Sequence, residues 1–203
     1  DEIPSKRVLK SVDHFCYSRH WMMHVGDQKG ETLKEFVQTF CKSQQPNDSP
    51  WFLVELGTYC GYSSILMAQT LLERVGSKGQ CKFQIVSVDV DANHQRVAKR
   101  LVQLAKLEEC ISFVHLPLGD SLISCLQKRF QSTTGMKDFQ IHFLFIDHDK
   151  DLYVSDLQQL EQSGWIKSGT HVAADNVVFF DTPYQAYIQH RKDQGIVSSS
   201  LEQ

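Results

Sequence analysis

Five short runs rich in β-branched and aromatic residues recur along the chain: "WFLVEL" at 51–56, "FQIVSVDV" at 83–90, "ISFVHL" at 111–116, "IHFLFID" at 141–147 and "THVAAD" at 170–175. Stretches of helical periodicity separate them. That alternation predicts βαβ units and a parallel sheet. The runs are nearly continuous in Val, Ile, Leu and Phe, the pattern of strands covered on both faces, so helices are expected on both sides.

Between the strands, "YSSILMAQTLLERVG" has helical apolar spacing and closes on Gly76, and "ANHQRVAKRLVQLAKL" puts Val97, Leu101 and Leu104 on one stripe; both read as sheet-covering helices. "DLYVSDLQQLEQSG" groups Val154, Leu157 and Leu160 and stops at Gly164, and "TPYQAYIQHR" opens on a Thr cap followed by Pro. Upstream of the first strand, helices are expected over 7–24 and 28–43, broken at "GDQKG". The turn-rich "CKSQQPNDSP" then connects into the sheet. No repeat, low-complexity tract or second domain is visible, and one α/β domain spanning 1–203 is expected.

Hydrophobic residues at 41% and charged residues at 22% are ordinary for a soluble domain, and no apolar run approaches the ~18 residues of a membrane span. A net charge of −3 provides no basic face for a phosphate backbone, which argues against nucleic acid and for a small-molecule partner. Cys16, Cys41, Cys60, Cys81, Cys110 and Cys125 form no CxxC pair, and a domain of this size needs no disulfide staples. A reducing, cytoplasmic setting and a monomer are expected.

Four of the strands finish on a carboxylate: Glu55, Asp89, Asp147 and Asp175. Ligands of open parallel sheets sit beyond the carboxyl ends of the strands, where these side chains can converge. Alternatively, each acid caps the helix that follows it. Glu55 leads into "LGTYCGYSS", where the dinucleotide fingerprint GxGxxG is absent and no P-loop Lys follows. A nucleoside without a pyrophosphate needs only close backbone approach and an acid for its ribose, and Asp89 is placed for that. Cys60 could be an activated thiolate near a helix start, but without an obvious partner it reads as a space-filling residue. Asp147 and Asp175, with the amide oxygen of Asn176, form a hard-oxygen set suited to Mg²⁺. "DVDANH" and "DHDKDL" open like EF-hand loops but lack the Gly at the sixth place, and His20 and His24 in "HWMMH" lack the Glu of a zinc protease.

The blocks "WMMHVGDQKG", "VELGTYCGYSS", "IDHDKD" and "AADNV" together resemble the catechol O-methyltransferase family, in that family's order and over about residues 10 to 180. The resemblance implies a Rossmann-like methyltransferase fold with extra N-terminal helices, and S-adenosylmethionine and Mg²⁺ as cofactors. It assigns Val25, Glu55, Gly57, Tyr59, Tyr62, Ser63, Asp89, Val90, Gly119, Asp120, Asp147 and His148 to the methyl donor, with Glu55 and Ser63 at the methionine end and Asp89 at the ribose. Asp147, Asp175 and Asn176 would hold the metal. Lys150 would be the general base, Trp21 and Met23 the walls of the acceptor site, and Glu202, together with Lys150 and Asn176, would meet the acceptor. The implied reaction is methyl transfer to one hydroxyl of a catechol or similar vicinal diol.

The chain departs from the family in three places. Asp149 stands where an aromatic is usual, Gly119 and Asp120 replace Ser and Gln beside the adenine, and the sequence stops just after an expected strand at 195–201, short of the family's last strand, as a fragment would. These departures keep a second reading open, a degenerate scaffold that binds the donor without turnover. An NAD-dependent oxidoreductase has no supporting glycine pattern.

Overall fold

The computed structural model describes residues 3–44, 50–75, 82–134, 139–177 and 182–196. Strands β1 (Trp51–Leu56), β2 (Phe83–Asp89), β3 (Ile111–His115), β4 (Phe143–Ile146) and β5 (His171–Ala174) pair in parallel in the order β3-β2-β1-β4-β5. All five expected runs become strands; the first keeps its full span and the other four are trimmed at their ends. Helices α1 (Pro4–Ser18), α2 (Gly26–Ser43), α3 (Tyr62–Val75) and α4 (Ala92–Ala105) cover one face, and α5 (Leu122–Thr134), α6 (Tyr153–Gln162) and α7 (Pro183–Asp193) the other.

Alternation along the strands divides the core. Leu53, Ile85, Phe143 and Phe145 pack with Val37, Phe40, Ile65 and Met67 on the first face, and Val54, Val86, Leu144 and Ile146 pack with Leu126, Leu157 and Leu160 on the second. Each such side chain, fully withdrawn from water, stabilises by about 1.5–3 kcal/mol. The Thr182 cap forms a full capping box with Gln185, and Pro183 opens α7, as its sequence led one to expect.

Several expectations are corrected. "GDQKG" does not break the first two helices; it opens α2, and the break lies at 19–25. Gly30 serves close packing instead, because a Cβ there would lie 3.1 Å from Leu66 Cδ2. His20 and His24 consequently share no helical face, since the segment carrying them is not helical. On α4 the sheet-facing residues are Gln95, Ala98, Val102 and Ala105, not the Val97–Leu101–Leu104 stripe. That stripe turns toward α1, where with Val8, Val12 and Phe15 it lines a groove of about 420 Å³. Periodicity selected the bulky residues, whereas the sheet accepts the small ones that let α4 approach closely.

The helix α5, with Leu122 and Leu126 buried, was not anticipated. Cys110 is disulfide-bonded, against the expectation that no cysteine would be, while Cys16, Cys41, Cys60 and Cys125 are free. Pairing depends on proximity in the fold, which spacing does not reveal; such a bond is commoner in oxidising than in reducing compartments. Cys60 is buried, its thiol pushed up to about 11 chiefly by burial, consistent with a space-filling role. Among the described residues no helix is long and apolar enough to cross a membrane. Gly76, Glu202 and all but the first two residues of the expected strand at 195–201 lie outside the described residues; Gly195 and Ile196 follow α7 without forming a strand.

Candidate active site at the carboxyl edge of the sheet

The strand order reverses between β1 and β4, and the four acid-bearing strand ends, of β2, β1, β4 and β5, are consecutive across that switch point. Backbone bonds continue beyond the strands: Gly57 N donates to Val88 O (2.9 Å), Asp147 N to Leu56 O (2.8 Å) and Asp175 N to Ile146 O (2.9 Å). The acids are thereby fixed to a rigid edge. Their alternative role as caps is largely taken by others, because Asp91 caps α4 and Asp149 caps the 3-10 turn Lys150–Leu152.

Glu55 is fully buried and takes the hydroxyls of Ser63, Ser64 and Ser87; Ser87 is its register partner on β2. Ser87 Oγ is in turn 2.6 Å from Thr58 Oγ1. Burial pushes the Glu55 carboxyl up to about 7, although the three hydroxyls pull it down.

Asp89 Oδ2 accepts from the backbone N–H groups of Thr58 (3.0 Å) and Tyr59 (2.8 Å), and Oδ1 from Asp91 N (2.8 Å). His94 Nδ1 lies 3.4 Å from the same Oδ1, and its ring stands edge-on to Tyr59. This grip requires the turn 57–61 to fold tightly over the sheet edge. Gly57 makes that turn at φ +101°, and a Cβ there would meet the Asp147 carbonyl oxygen at 2.3 Å. The glycine thus joins the Asp89 side of the edge to the Asp147 side.

On that second side, Asn176 adopts a left-handed conformation (φ 58°), with its N–H donating to Asp175 Oδ1 at 2.7 Å. Its side-chain amide donates to Asp175 Oδ2 at 3.2 Å. Lys29, on the first turn of α2, donates from Nζ to Asp175 Oδ2 at 2.9 Å and to Asn176 Oδ1 at 2.6 Å. The Asp147 carboxyl is pushed up to about 8 by burial, then by the charges of Asp175 and Glu55, with Lys29 and Lys150 acting in the opposite sense. Asp147 therefore feels two acids and two lysines at once. Among the described residues no group of three or more His, Cys, Asp and Glu forms a metal-binding cluster; two carboxylates and an amide oxygen fall short of that composition. They nevertheless fit a hard cation, since a positive charge already bridges two of the three oxygens and the third carboxyl is strained by its acidic neighbours.

The remaining expected residues surround this edge unequally. His148 follows Asp147, stacks on Tyr153 and bonds through Nε2 to Asp156 Oδ2 at 2.9 Å; its Nδ1 is buried without a partner among the described residues. Val25 is buried ahead of α2, and Ser63 lies in the first turn of α3. Tyr62 is held elsewhere, its hydroxyl donating to Asp13 Oδ2 at 3.0 Å, and His24 Nε2 lies 3.0 Å from Asp13 Oδ1. Trp21 and Met23 are 73% and 67% exposed, so neither is core. Val90, Gly119 and Asp120 are exposed; the last two lie in the turn after β3, which starts where Leu116 N donates to Asp89 O. Lys150, the expected general base, is exposed, because the 3-10 turn projects it from the sheet edge.

Sequence reasoning missed Ser64, Ser87 and Thr58 around Glu55, and above all Lys29. Small hydroxyls carry no distinctive pattern. Lys29 could have been sought, because four acids on one edge call for a cation and the residue stands within the block "WMMHVGDQKG".

Sheet order, layering and edge define a Rossmann-like methyltransferase fold, shared with solved O-methyltransferases. One from Bacillus cereus, in complex with SAH, matches with a TM-score of 0.59 at 20% identity, over 96% of this chain and 79% of that one. The family model described as O-methyltransferase matches residues 4–198, and the chain belongs to that family. Catechol O-methyltransferase of Bos taurus is 30% identical over 176 residues, which is 87% of this chain and 56% of that protein. A probable O-methyltransferase of Mycobacterium tuberculosis is 31% identical over 199 residues, 96% of this chain and 75% of that protein. The chain spans 56%, 60% and 62% of three catechol O-methyltransferases.

Proposed function

We propose that the protein transfers a methyl group from S-adenosylmethionine to one hydroxyl of a catechol or similar vicinal diol, with Mg²⁺ as cofactor. The observation that carries this reading is the meeting, on one sheet edge, of Asp89 in its cradle of backbone N–H groups with the Asp175 and Asn176 oxygens on the Lys29 ammonium, whose charge also acts on Asp147. The donor would supply an electrophilic methyl on sulfur. A magnesium ion on Asp147, Asp175 and Asn176 would supply Lewis acidity toward two neighbouring oxygens.

The chain's own residues do the rest. Asp89 retains lone-pair capacity for ribose hydroxyls, the buried and unpartnered Nδ1 of His148 suits a donor on the adenine, and Glu55 with Ser63 suits the amino-acid end. Lys150 takes the acceptor proton at Nζ. Trp21 and Met23, free of core packing, fold over the acceptor and exclude water.

Incubation of the protein with S-adenosylmethionine, Mg²⁺ and a catechol should yield methylated catechol. Lys150→Ala should abolish turnover while calorimetry still detects the donor. Donor binding without product from the unaltered protein would favour the scaffold, the reading to which the exposed Lys150 and the missing aromatic at Asp149 lend weight.

A further inference from the structure

The lysine on the acidic edge has a consequence for how that edge takes up a metal. Lys29 Nζ makes its two short contacts to Asp175 Oδ2 and Asn176 Oδ1, two of the three oxygens assigned to Mg²⁺, and its charge also acts on Asp147, the third. We propose that Lys29 is a built-in cation that occupies the metal site and must leave before a divalent ion can bind. The inference rests on the metal-dependent reading above.

Three physical features support it. An ammonium is a compact point charge with the same preference for anionic oxygen as Mg²⁺, so the two compete for the same lone pairs and repel each other if held together. The Lys29 side chain is 45% exposed and ends a flexible four-carbon stem, so its head group can move into water. Its helix does not have to move with it: Gly30 seats α2 against Leu66 and Tyr62 of α3. In the metal-free protein the lysine offsets part of the repulsion between Asp147 and Asp175, and it yields to a doubly charged ion that gains all three oxygens.

The test uses Mn²⁺ titration of the chelator-treated protein, followed by electron paramagnetic resonance, with no donor or acceptor present. Lys29→Met should bind Mn²⁺ at least about tenfold more tightly than the unaltered protein, equivalent to about 1.4 kcal/mol. Lys29→Arg, which keeps the charge, should show no such gain. Equal or weaker binding by Lys29→Met, or equal gains in both variants, would overturn the competition while leaving the metal reading intact. If neither the unaltered protein nor a natively folded Lys29→Met binds Mn²⁺, both readings fall. A measurement free of mutation guards against misfolding: acetic anhydride should label Lys29 severalfold faster in saturating Mg²⁺, as read by mass spectrometry, and an unchanged labelling rate would refute the proposal.

Discussion

The two halves of the acidic edge solve the same electrostatic problem differently. On the β1/β2 side, Glu55 and Asp89 are satisfied by neutral donors, three hydroxyls and three backbone N–H groups, all belonging to the packed frame. On the β4/β5 side, Asn176 supplies neutral donors to Asp175 alone, and both Asp147 and Asp175 face the charge of a lysine reaching over from α2. Neutral donors built into the fold remain in place whatever binds, which suits a site that positions a large ligand. A half-exposed lysine can be exchanged for another cation, which suits a site that is loaded and unloaded.

The contrast can be broken most directly at the residue joining the halves. Gly57→Ala forces a side chain into a left-handed turn and onto the Asp147 carbonyl, and should destabilise by about 3 kcal/mol or more in urea unfolding. A loss below about 1 kcal/mol would mean that the two sides are not rigidly coupled. Next in size, Asp89→Ala orphans the Thr58 and Tyr59 N–H groups and should cost about 2–3 kcal/mol in the same assay, along with donor binding.

The pH response of Glu55 sharpens the picture of its half. The unfolded carboxyl releases its proton near 4.5, whereas the buried one holds it to about 7. The folded protein therefore carries the extra proton between those values, and this contribution to stability is full below about 4.5 and fades as pH rises toward 7. Urea unfolding from pH 4 to 8 should show a decline, by at most about 1.4 kcal/mol per pH unit from this group, that Glu55→Gln removes. Parallel profiles for the two proteins would show that burial does not hold the proton.

The smallest effect belongs to the lysine-held side. Asp175→Ala in chelator should change stability by less than about 1 kcal/mol, because it removes a half-exposed ion pair and at the same time relieves repulsion with Asp147. A cost comparable to that of Asp89→Ala would erase the distinction between the halves.

Much of this edge was legible beforehand. Strands covered on both faces announce themselves as continuous apolar runs, so an acid ending such a run is conspicuous: Glu55, Asp89, Asp147 and Asp175 all emerged in this way. Helix faces were less legible. The Val97–Leu101–Leu104 stripe pointed to the wrong neighbour, because how close α4 comes to the sheet depends on the small side chains Ala98 and Ala105, which periodicity undervalues. "GDQKG" was misjudged for a related reason, since a glycine at a close helix contact looks like a glycine at a break.

The sequence by itself determined the strands and the acids that end them, because each depends on local pattern and the common geometry of parallel sheets. Only the tertiary structure decided which charges meet. Lys29 is 146 residues from Asp175 in sequence and 2.9 Å away in space, a proximity set by the docking of α2 on α3 through Gly30. Pairing between distant charges follows from how elements pack, and no local pattern encodes it.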